Sequence, residues 1–317
     1  MKQLKKLISL LLCPAMMLCT CACAAGGSPE DTTDTTPADT TPLSDGKTLK
    51  LLAITSSFGM NTTDLLYDVA KAEGCTDVIV GQLYASGCTL EQHAKYAKEN
   101  SPAYRYTKNS TGTWETMHET SLRYGLEDED WDIIFIQQSA AQSGQGDSYK
   151  DYLDQIFPYV NAYKTNPNAK FIWNMTWAYE NNSDQPVFKN QFKNDQNYMY
   201  NCIVNVLKEK ILPRTEFSAI IPSGTAIQNV RTSYIGDTLT KDTFHLNNFG
   251  KVIASYTLFS VLVGRELTAI NLEGEIISRD YDVPVTLSEK DKQAIIEAVN
   301  SAIKNPYEVT PSTFTQP

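Results

Sequence analysis

Histidine is scarce in this sequence, and His93, His118 and His245 are the only three among 317 residues. That scarcity excludes most metal centres that are built from several histidines, and it leaves few candidates for a catalytic base that works near neutral pH. The cysteines that follow residue 23 also lack the spacing of a zinc site. We therefore expect a protein that uses no metal and no other cofactor.

Only three cysteines, Cys75, Cys88 and Cys202, follow residue 23. Because three is an odd number, at least one of them is a free thiol unless it pairs with another chain. The sequence leaves two interpretations open for these residues, which are a disulfide between Cys75 and Cys88 or buried free thiols.

Acidic residues outnumber basic ones, with 37 Asp and Glu against 27 Lys and Arg. Three of the lysines lie in the first 23 residues, so the rest of the chain has 24 basic side chains and a net charge of −13. Nucleic-acid binding depends on neutralising phosphates with Lys and Arg. This charge therefore excludes nucleic acid as an expected partner.

Residues 1–23 have the layout of a secretory signal peptide. Lys2, Lys5 and Lys6 precede an apolar run over Leu7–Leu18, which is shorter than the about 20 residues of a membrane-spanning helix. This layout predicts an exported protein, and the segment is therefore excluded from the reasoning about the fold.

The end of that segment resembles a bacterial lipobox, in which a small residue precedes the cysteine that receives the lipid. Cys23 follows Ala22 and is the preferred lipidation site, whereas Cys21 follows Thr20, a less usual residue there. The alternative is ordinary cleavage after Ala24 and free secretion. We expect an extracytoplasmic protein that contacts the cell membrane only through an N-terminal lipid.

Residues 24–47 are rich in Thr, Asp and Pro and contain no aromatic residue. Such a segment cannot bury enough apolar surface to offset the entropy lost on ordering, so we predict a disordered tether. The remaining chain is long enough for one sizeable core. We expect the main domain over residues 48–265, a C-terminal extension with one helix over 266–317, and a monomer.

Apolar runs of strand length alternate with amphipathic helical segments after residue 48. The predicted strands are Leu49–Ile54, Val78–Tyr84, Trp131–Gln137, Lys170–Asn174 and Phe217–Ile221. Aromatic-rich runs on both sides of residues 109–112 indicate a hairpin inserted between the main elements. The alternation predicts a five-stranded parallel sheet with helices on both faces, which is a three-layer α/β/α sandwich.

Function in such a sheet is expected at the carboxyl ends of the strands. Ser56 and Ser57 follow the first strand, where backbone N–H groups near a helix start can stabilise an oxyanion. The alternative is that these serines only cap a helix or turn the chain. Asp242 and His245 lie just before the last core helix, and the order Ser, Asp, His occurs in several α/β serine hydrolases.

The chemistry of such a site needs all three residue types. A serine hydroxyl is a poor nucleophile until a base removes its proton, and a neutral imidazole is that base near neutral pH. A carboxylate on the other ring nitrogen holds the tautomer and stabilises the imidazolium. We therefore predict Ser57 as the nucleophile, His245 as the base and then the acid, and Asp242 as the residue that orients it.

Two further strand ends supply candidates for the oxyanion hole. Gly87 follows the second strand, where a residue without a side chain lets the backbone approach a substrate and offer its N–H. Gln137 and Gln138 follow the third strand, and amides are costly to bury without partners, so we expect one to face the site. We prefer Gln138 as the donor, and the alternative is that both amides bond to loop backbone.

Three residues are candidate substrate contacts, namely Gln137, Trp177 and His93. Trp177 belongs to the aromatic segment Trp173–Tyr179 at the mouth of the fourth strand. Rings in that place suit stacking on sugars, but lid and core positions are equally consistent with the sequence. His93 lies on a helix predicted over Thr89–Asn100, either on the helix face or at the rim of the pocket.

Several segments resemble the SGNH (GDSL-like) hydrolase superfamily, and more narrowly a group of bacterial SGNH-like lipoproteins of unknown function. The matching segments are Ser86–His93, Gln137–Gln138, Trp173–Tyr179 and Pro222–Arg231. The resemblance covers roughly residues 48–265, and it implies a flavodoxin-like arrangement of the parallel sheet. It also implies ester hydrolysis by a serine nucleophile, often on acylated sugars or lipids.

In the superfamily the oxyanion hole uses the serine N–H, a glycine N–H and an asparagine side chain, which correspond here to Ser57, Gly87 and a glutamine. Thr55 and Ser56 stand where the superfamily has Gly-Asn or Gly-Asp. We expect a serine esterase, and the preferred substrate is an O-acetyl ester on a glycan. The alternative is a non-catalytic, surface-exposed glycan-binding protein on the same fold.

Overall fold

A computed structural model describes residues 42–280 and 283–315. The predicted signal peptide, the lipidation site Cys23 and residues 24–41 of the predicted tether lie outside the described residues, so these assignments stay predictions. The tether prediction is wrong over residues 42–47, because the Leu43 and Ser44 N–H groups donate to the Leu262 carbonyl at 2.8 and 2.9 Å. Within the described residues, every helix is too short or too polar to cross a bilayer.

Seven strands form one sheet in the described part of the chain. They are β1 (Thr48–Thr55), β2 (Asp77–Tyr84), β3 (Tyr104–Asn109), β4 (Trp114–Thr120), β5 (Ile133–Ile136), β6 (Lys170–Asn174) and β7 (Phe217–Ile221). Their order across the sheet is β4-β3-β2-β1-β5-β6-β7. Strands β2, β1, β5, β6 and β7 are parallel, and β3 and β4 are antiparallel at one edge.

The prediction of a five-stranded sheet is therefore wrong, because the hairpin joins the sheet. Strand β3 pairs with β2 over five residues, with Arg105 opposite Tyr84. The aromatic runs and the polar turn at residues 109–112 identify a hairpin from local sequence alone. They do not identify its neighbour, because any unpaired strand edge can accept another strand.

Ten α-helices are present in the described residues. They are α1 (Ser57–Thr63), α2 (Leu66–Ala72), α3 (Leu90–Glu99), α4 (Leu122–Glu127), α5 (Tyr152–Tyr163), α6 (Pro186–Gln191), α7 (Gln196–Lys210), α8 (Ser223–Arg231), α9 (Asn248–Val263) and α10 (Glu289–Lys304). Helices α1 and α2 pack with α9, and α3 and α4 pack with α5. The predicted combination of a mostly parallel sheet with packed helices is therefore confirmed.

The strand order places the end of β1 at the point where the chain changes direction across the sheet. Strand β2 lies on one side of β1 and β5 on the other. Thr55 pairs with Tyr84, and Ile54 pairs with Ile136, so the loops after these three strands start at one level. In open α/β sheets, ligands bind at this switch point. The loop after β1 is therefore the first place to look for a site.

Helix α8 begins against the end of β6, where the sequence leaves the role of the Pro222–Arg231 segment open. Gly224 N–H donates to the Met175 carbonyl at 2.9 Å. A Cβ on Gly224 would lie 2.1 Å from the Thr176 carbonyl oxygen. Glycine is therefore required at this position because two backbones approach each other closely.

We expect Gly224→Ala to lower the free energy of unfolding by about 1–3 kcal/mol, because the new methyl group overpacks against backbone. Gly146→Ala is the matched control, since its Cβ would have its nearest neighbour, Lys210 Cε, at an ordinary 3.5 Å. Urea denaturation of both variants measures the difference. Equal stability of the two variants would contradict the close approach at α8.

Candidate active site

Ser57 is the first residue of α1 and follows the end of β1 by two positions. The preceding Ser56 is only 3% exposed, whereas Ser57 is partly exposed. The first N–H groups of a helix have no carbonyl partner within it, and the Ser57 N–H has no acceptor among the described residues. Ser57, rather than Ser56, therefore offers both a hydroxyl and an N–H to a ligand.

Gly87 lies in the loop after β2, at the same edge of the sheet. Ala85 N–H donates to the Thr55 carbonyl at 3.1 Å, which ties this loop to the end of β1. Gly87 is exposed, has a φ of +60° that favours glycine, and has no atom within 4 Å of an ideal Cβ position. Its N–H has no acceptor in the described chain. That group is therefore open to a substrate oxygen.

Asp242 and His245 form a hydrogen-bonded pair in the turn before α9. Asp242 Oδ2 lies 2.7 Å from His245 Nδ1, and Asp242 Oδ1 accepts the backbone N–H of His245 at 2.8 Å. A carboxylate at Nδ1 holds the ring proton there and leaves Nε2 as the acceptor. The His245 side chain is 23% exposed, so a substrate can reach the ring.

The turn between these two residues is strained and held from outside. Thr243 has a φ of +73°, which is unusual for a β-branched residue. Glu180 N–H donates to the Thr243 carbonyl at 2.9 Å, and Trp177 Nε1 donates to the Phe244 carbonyl at 2.8 Å. Such strain persists only where the surroundings fix the backbone, and it is concentrated at functional sites.

Two contacts bring this turn against α1. Asn61 Oδ1 accepts the Leu246 N–H at 3.0 Å, and the ring centroids of Phe58 and His245 lie 5.9 Å apart. The imidazole therefore lies beside the helix that begins with Ser57. No hydrogen bond joins Ser57 to His245 within the described residues. Such bonds are often long in unliganded enzymes and shorten when substrate binds.

The sequence reasoning missed Asn61, which carries one of these contacts. Asn61 is 1% exposed and lies four residues after Ser57, close to the same side of α1. Buried amides require hydrogen-bond partners, so a polar residue at that spacing from the candidate nucleophile was an available signal. It would not have identified the partner, which is 185 residues away in the sequence.

Gln138 does not serve as an oxyanion donor in this structure, which contradicts the prediction. Its Oε1 accepts the N–H groups of Leu90 and Ser139 at 3.0 and 2.8 Å. Its Nε2 donates to the carbonyl and to the hydroxyl of Ser148, both at 3.1 Å. The amide is fully buried and holds the loops on the α3 side of the sheet. The alternative interpretation, bonding to loop backbone, describes Gln138 correctly.

Gln137 points to the opposite face, toward α1. Its Oε1 accepts a hydrogen bond from Asn174 Nδ2 at 3.0 Å, and a Cβ on Gly59 would lie 2.9 Å from that oxygen. Its Nε2 is buried and has no partner in the described residues. Because Gln137 is 1% exposed, it supports the first turn of α1 and does not line an open surface. The prediction of a substrate contact at Gln137 is therefore contradicted.

Trp177 is also buried, so the prediction that it contacts substrate is wrong. Its ring is 0% exposed and stacks on Phe58 with centroids 4.1 Å apart. Trp173 and Tyr179 are 2% and 4% exposed, respectively. These rings form the core behind the His245 turn, and they offer no face on which a sugar could stack.

His93 lies inside the protein rather than at the rim of a pocket. It is 1% exposed, and its Nδ1 lies 2.8 Å from the Tyr104 hydroxyl. Burial lowers the pKa of His93 to about 3, so the ring is neutral near neutral pH. Helix α3 directs the residue inward, while Thr89 caps the helix as the sequence indicates.

The three cysteines of the described chain are free thiols. Cys75 and Cys88 lie beyond opposite ends of β2, a strand about 25 Å long, whereas a disulfide needs Cα atoms within about 7 Å. The interpretation of a Cys75–Cys88 bridge is therefore wrong. Burial raises the pKa of Cys88 to about 12, so this thiol is not a nucleophile near neutral pH.

Of the cavities in the described residues, two of about 320 and 290 Å³ are lined by residues other than Ser57, Gly87 and His245. The candidate site is therefore separate from both. No group of three or more His, Cys, Asp or Glu side chains with the geometry of a metal site occurs in the part of the chain that the structure describes.

Comparison with known proteins identifies one well-matched group. A family model described as a domain of unknown function, DUF4886, matches residues 50–285. The crystal structure of a DUF4886 family protein from Bacteroides uniformis is 33% identical in sequence. It covers 85% of this chain and 100% of its own, with a TM-score of 0.75. A search of curated proteins found no match.

Two more distant structures are similar to smaller shares of the chain. A protein from Slackia heliotrinireducens, described as a candidate SGNH hydrolase, is 13% identical over 68% of this chain and 100% of its own, with a TM-score of 0.43. A catalytic mutant of an acetylxylan esterase from Geobacillus stearothermophilus is 10% identical over 68% and 95%, with a TM-score of 0.39. At these TM-scores, neither likeness bears on the chemistry of this chain.

The buried His93 predicts a defined pH dependence of stability. Its pKa is about 3 in the folded protein against an ordinary value of 6.5, so between these values the unfolded chain binds the proton. The free energy of unfolding is therefore expected to fall as the pH drops from about 6.5 toward about 3, by up to about 1.4 kcal/mol per pH unit.

Chemical denaturation at about pH 6.5 and about pH 5 measures this effect, and the wild type should lose about 2 kcal/mol more than His93→Gln. The control is substitution of the exposed His118 by Gln, which should retain the wild-type dependence. A His93 ring that titrates near pH 6.5 in the folded protein by NMR would contradict its burial.

Proposed function

We propose that this chain, which belongs to the DUF4886 family of unknown function, is a serine esterase. The observation that supports the proposal is the hydrogen-bonded pair of Asp242 and His245, held against the helix whose first residue is Ser57. Because the family carries no assigned activity, the proposal depends on this arrangement of side chains.

In the proposed reaction, Ser57 Oγ attacks the carbonyl carbon of the ester while His245 Nε2 takes the hydroxyl proton. Asp242 keeps the proton on Nδ1 and stabilises the imidazolium that forms. His245 then gives its proton to the leaving alcohol, and an acyl group remains on Ser57. A water molecule, deprotonated by Nε2, attacks that acyl group and releases the acid and the free serine.

The oxyanion of each tetrahedral intermediate needs hydrogen-bond donors that are already in place. The N–H groups of Ser57 and Gly87 have no acceptor among the described residues and lie at the same edge of the sheet. Each such donor lowers the barrier by about 3 kcal/mol in comparable sites. We assign the oxyanion hole to these two backbone groups, because both glutamines are buried.

We further propose that the acyl part of the ester is short, and that the substrate is a glycan that carries an O-acetyl group. Neither of the two cavities described above is lined by Ser57, Gly87 or His245, and a small acyl group does not need a deep apolar pocket for its burial. A small acyl group needs little more than the oxyanion donors. The layout of residues 1–23 supports the proposal of a lipid anchor on Cys23 and an extracytoplasmic site of action.

The alternative, a non-catalytic glycan-binding protein, has less support. It depends on the aromatic rings of Trp173, Trp177 and Tyr179, and all three are buried. The Thr55-Ser56 pair that departs from the superfamily pattern is buried as well. Neither feature supplies a surface for a sugar.

The esterase proposal predicts that the chain reacts with a serine-directed fluorophosphonate and that Ser57→Ala abolishes the labelling. Ser56→Ala is the matched control and should label at the wild-type rate, because Ser56 is buried. His245→Gln should slow labelling by at least about 10³-fold, because it removes the proposed general base. Labelling that persists in Ser57→Ala, detected by intact mass, would reject Ser57 as the nucleophile.

A second prediction concerns Asn61 as a positioning residue for His245. Asn61→Leu removes the acceptor of the Leu246 N–H, so the imidazole loses one of its anchors, and kcat on an acetyl ester should fall by about 10-fold or more. Asn61→Asp keeps an acceptor oxygen and should retain most of kcat. Equal loss in both variants at unchanged stability would contradict the role of this hydrogen bond.

A further inference from the structure

An arginine without a carboxylate partner lies beside the candidate active site. Arg105 forms no ion pair with any described residue. Its Nε is buried and has no acceptor. Its Nη2 donates to Met60 Sδ at 3.3 Å, and a thioether is only a weak acceptor. The guanidinium lies over the Tyr84 ring, 4.5 Å from the centroid. Most of its hydrogen-bonding capacity is therefore not used by other described residues.

Arg105 is unusual among the arginines of this protein. Four others form ion pairs, which are Arg123–Glu127, Arg214–Asp154, Arg231–Asp237 and Arg279–Asp64. Arg265 is exposed to water. Carboxylates are abundant in a chain of net charge −10, so their scarcity does not explain an unpaired guanidinium. Leaving a desolvated N–H of a cation without an acceptor costs free energy.

A second cation lies near Arg105 and increases the need for an anion. Burial is the main cause that lowers the pKa of Arg279, and the positive charge of Arg105 lowers it further. Arg279 has Asp64 as a partner at 2.7 Å. Of these two neighbouring cations, Arg105 is therefore the one without a carboxylate partner among the described residues.

The strand register places Arg105 close to Ser57. Thr55 pairs with Tyr84, and Tyr84 pairs with Arg105. The backbone of Arg105 is thus two strands, or about 10 Å, from the end of β1 at the same level of the sheet. Because the guanidinium lies over Tyr84 and contacts Met60 of α1, the side chain extends back across β2 toward Ser57.

The contact between Arg105 and Met60 lies on the solvent-accessible face of helix α1. Ser57 and Met60 are its only partly exposed residues, and the other five are buried. Residues three apart lie on one face of a helix, with Cβ atoms about 5–6 Å apart. The guanidinium therefore lies against the side chain of Met60, a residue on the accessible face of α1 and about one helical turn after the candidate nucleophile.

We propose that Arg105 binds a carboxylate of the substrate, so that the ester cleaved at Ser57 belongs to an acidic molecule such as an acetylated uronic acid. This inference rests on the proposed esterase function. A guanidinium matches a carboxylate with two parallel N–H groups. Met60, which the guanidinium contacts, lies about one helical turn after Ser57, a spacing comparable to the size of a sugar ring between the ester and the carboxylate.

The carboxylate could be carried by the alcohol or by the acyl part of the ester, and two substrate pairs distinguish these sources. Acetylated methyl glucuronide against acetylated methyl glucoside tests the alcohol side, and monomethyl succinate against methyl butyrate tests the acyl side. The wild type should prefer the acidic member of one pair in kcat/KM. In Arg105→Gln the preference should fall about 10- to 100-fold, the range of charge-assisted hydrogen bonds.

Two further variants complete the test. Arg105→Lys keeps the charge but not the planar fork, so it should retain part of the preference. Arg123→Gln removes an exposed arginine that pairs with Glu127 and should leave the preference unchanged. A ratio of kcat/KM in Arg105→Gln that equals the wild-type ratio would overturn the assignment of Arg105.

Binding separates this inference from the esterase proposal. In Ser57→Ala, calorimetry should detect tighter binding of the carboxylate probe than of its neutral partner, and Arg105→Gln should abolish the difference. Hydrolysis of both members of both pairs at equal rates supports an esterase but overturns the role of Arg105. Carboxylate binding that needs Arg105, without hydrolysis of any ester, supports the anion site and overturns the esterase proposal.

Discussion

The hydrogen bond from the Leu246 N–H to Asn61 Oδ1 joins two stretches of chain that lie 185 residues apart. One stretch is the helix that begins with Ser57, and the other is the turn that carries Asp242 and His245. A single backbone-to-amide bond contributes only about 1 kcal/mol to stability. This hydrogen bond matters mainly because it fixes the position of the turn relative to α1.

The aromatic core behind that bond fixes the same geometry from a second direction. Trp177 stacks on Phe58 with an interplanar angle of 6°, and its indole N–H donates to the Phe244 carbonyl. The ring therefore contacts both the residue after Ser57 and the residue before His245. This dual contact explains why an aromatic residue at the mouth of β6 is buried and yet belongs to the support of the site.

The sequence was sufficient for features that depend on local pattern. The parallel strands, the position of Ser57 at a strand end and the Asp242–His245 pair follow from apolar runs and from spacing along the chain. It was insufficient for the two glutamines after the third predicted strand, because a polar side chain at a strand end can face either a substrate or the protein interior. Gln137 and Gln138 are consecutive, so they face opposite sides of the strand end, and only the packed helices show that both sides are buried.

The turn also depends on residues from the end of the chain. Asp280 forms ion pairs with Lys241 and Lys251, both at 2.5 Å, and Lys251 in turn lies 3.3 Å from Asp64. Burial favours the protonated carboxyl of Asp280, but the hydrogen bonds from Lys241 and Lys251 outweigh it, so the pKa is lowered.

Breaking one member of a buried ion network leaves an uncompensated charge, which is far costlier than the loss of an exposed pair. Lys251 is 0% exposed, so its carboxylate partners are obligatory rather than incidental. Because Lys241 immediately precedes Asp242, the segment that contains Asp280 holds one end of the turn that carries Asp242 and His245, while Asn61 holds the other. The residues after α9 are therefore part of the physical support of the candidate site.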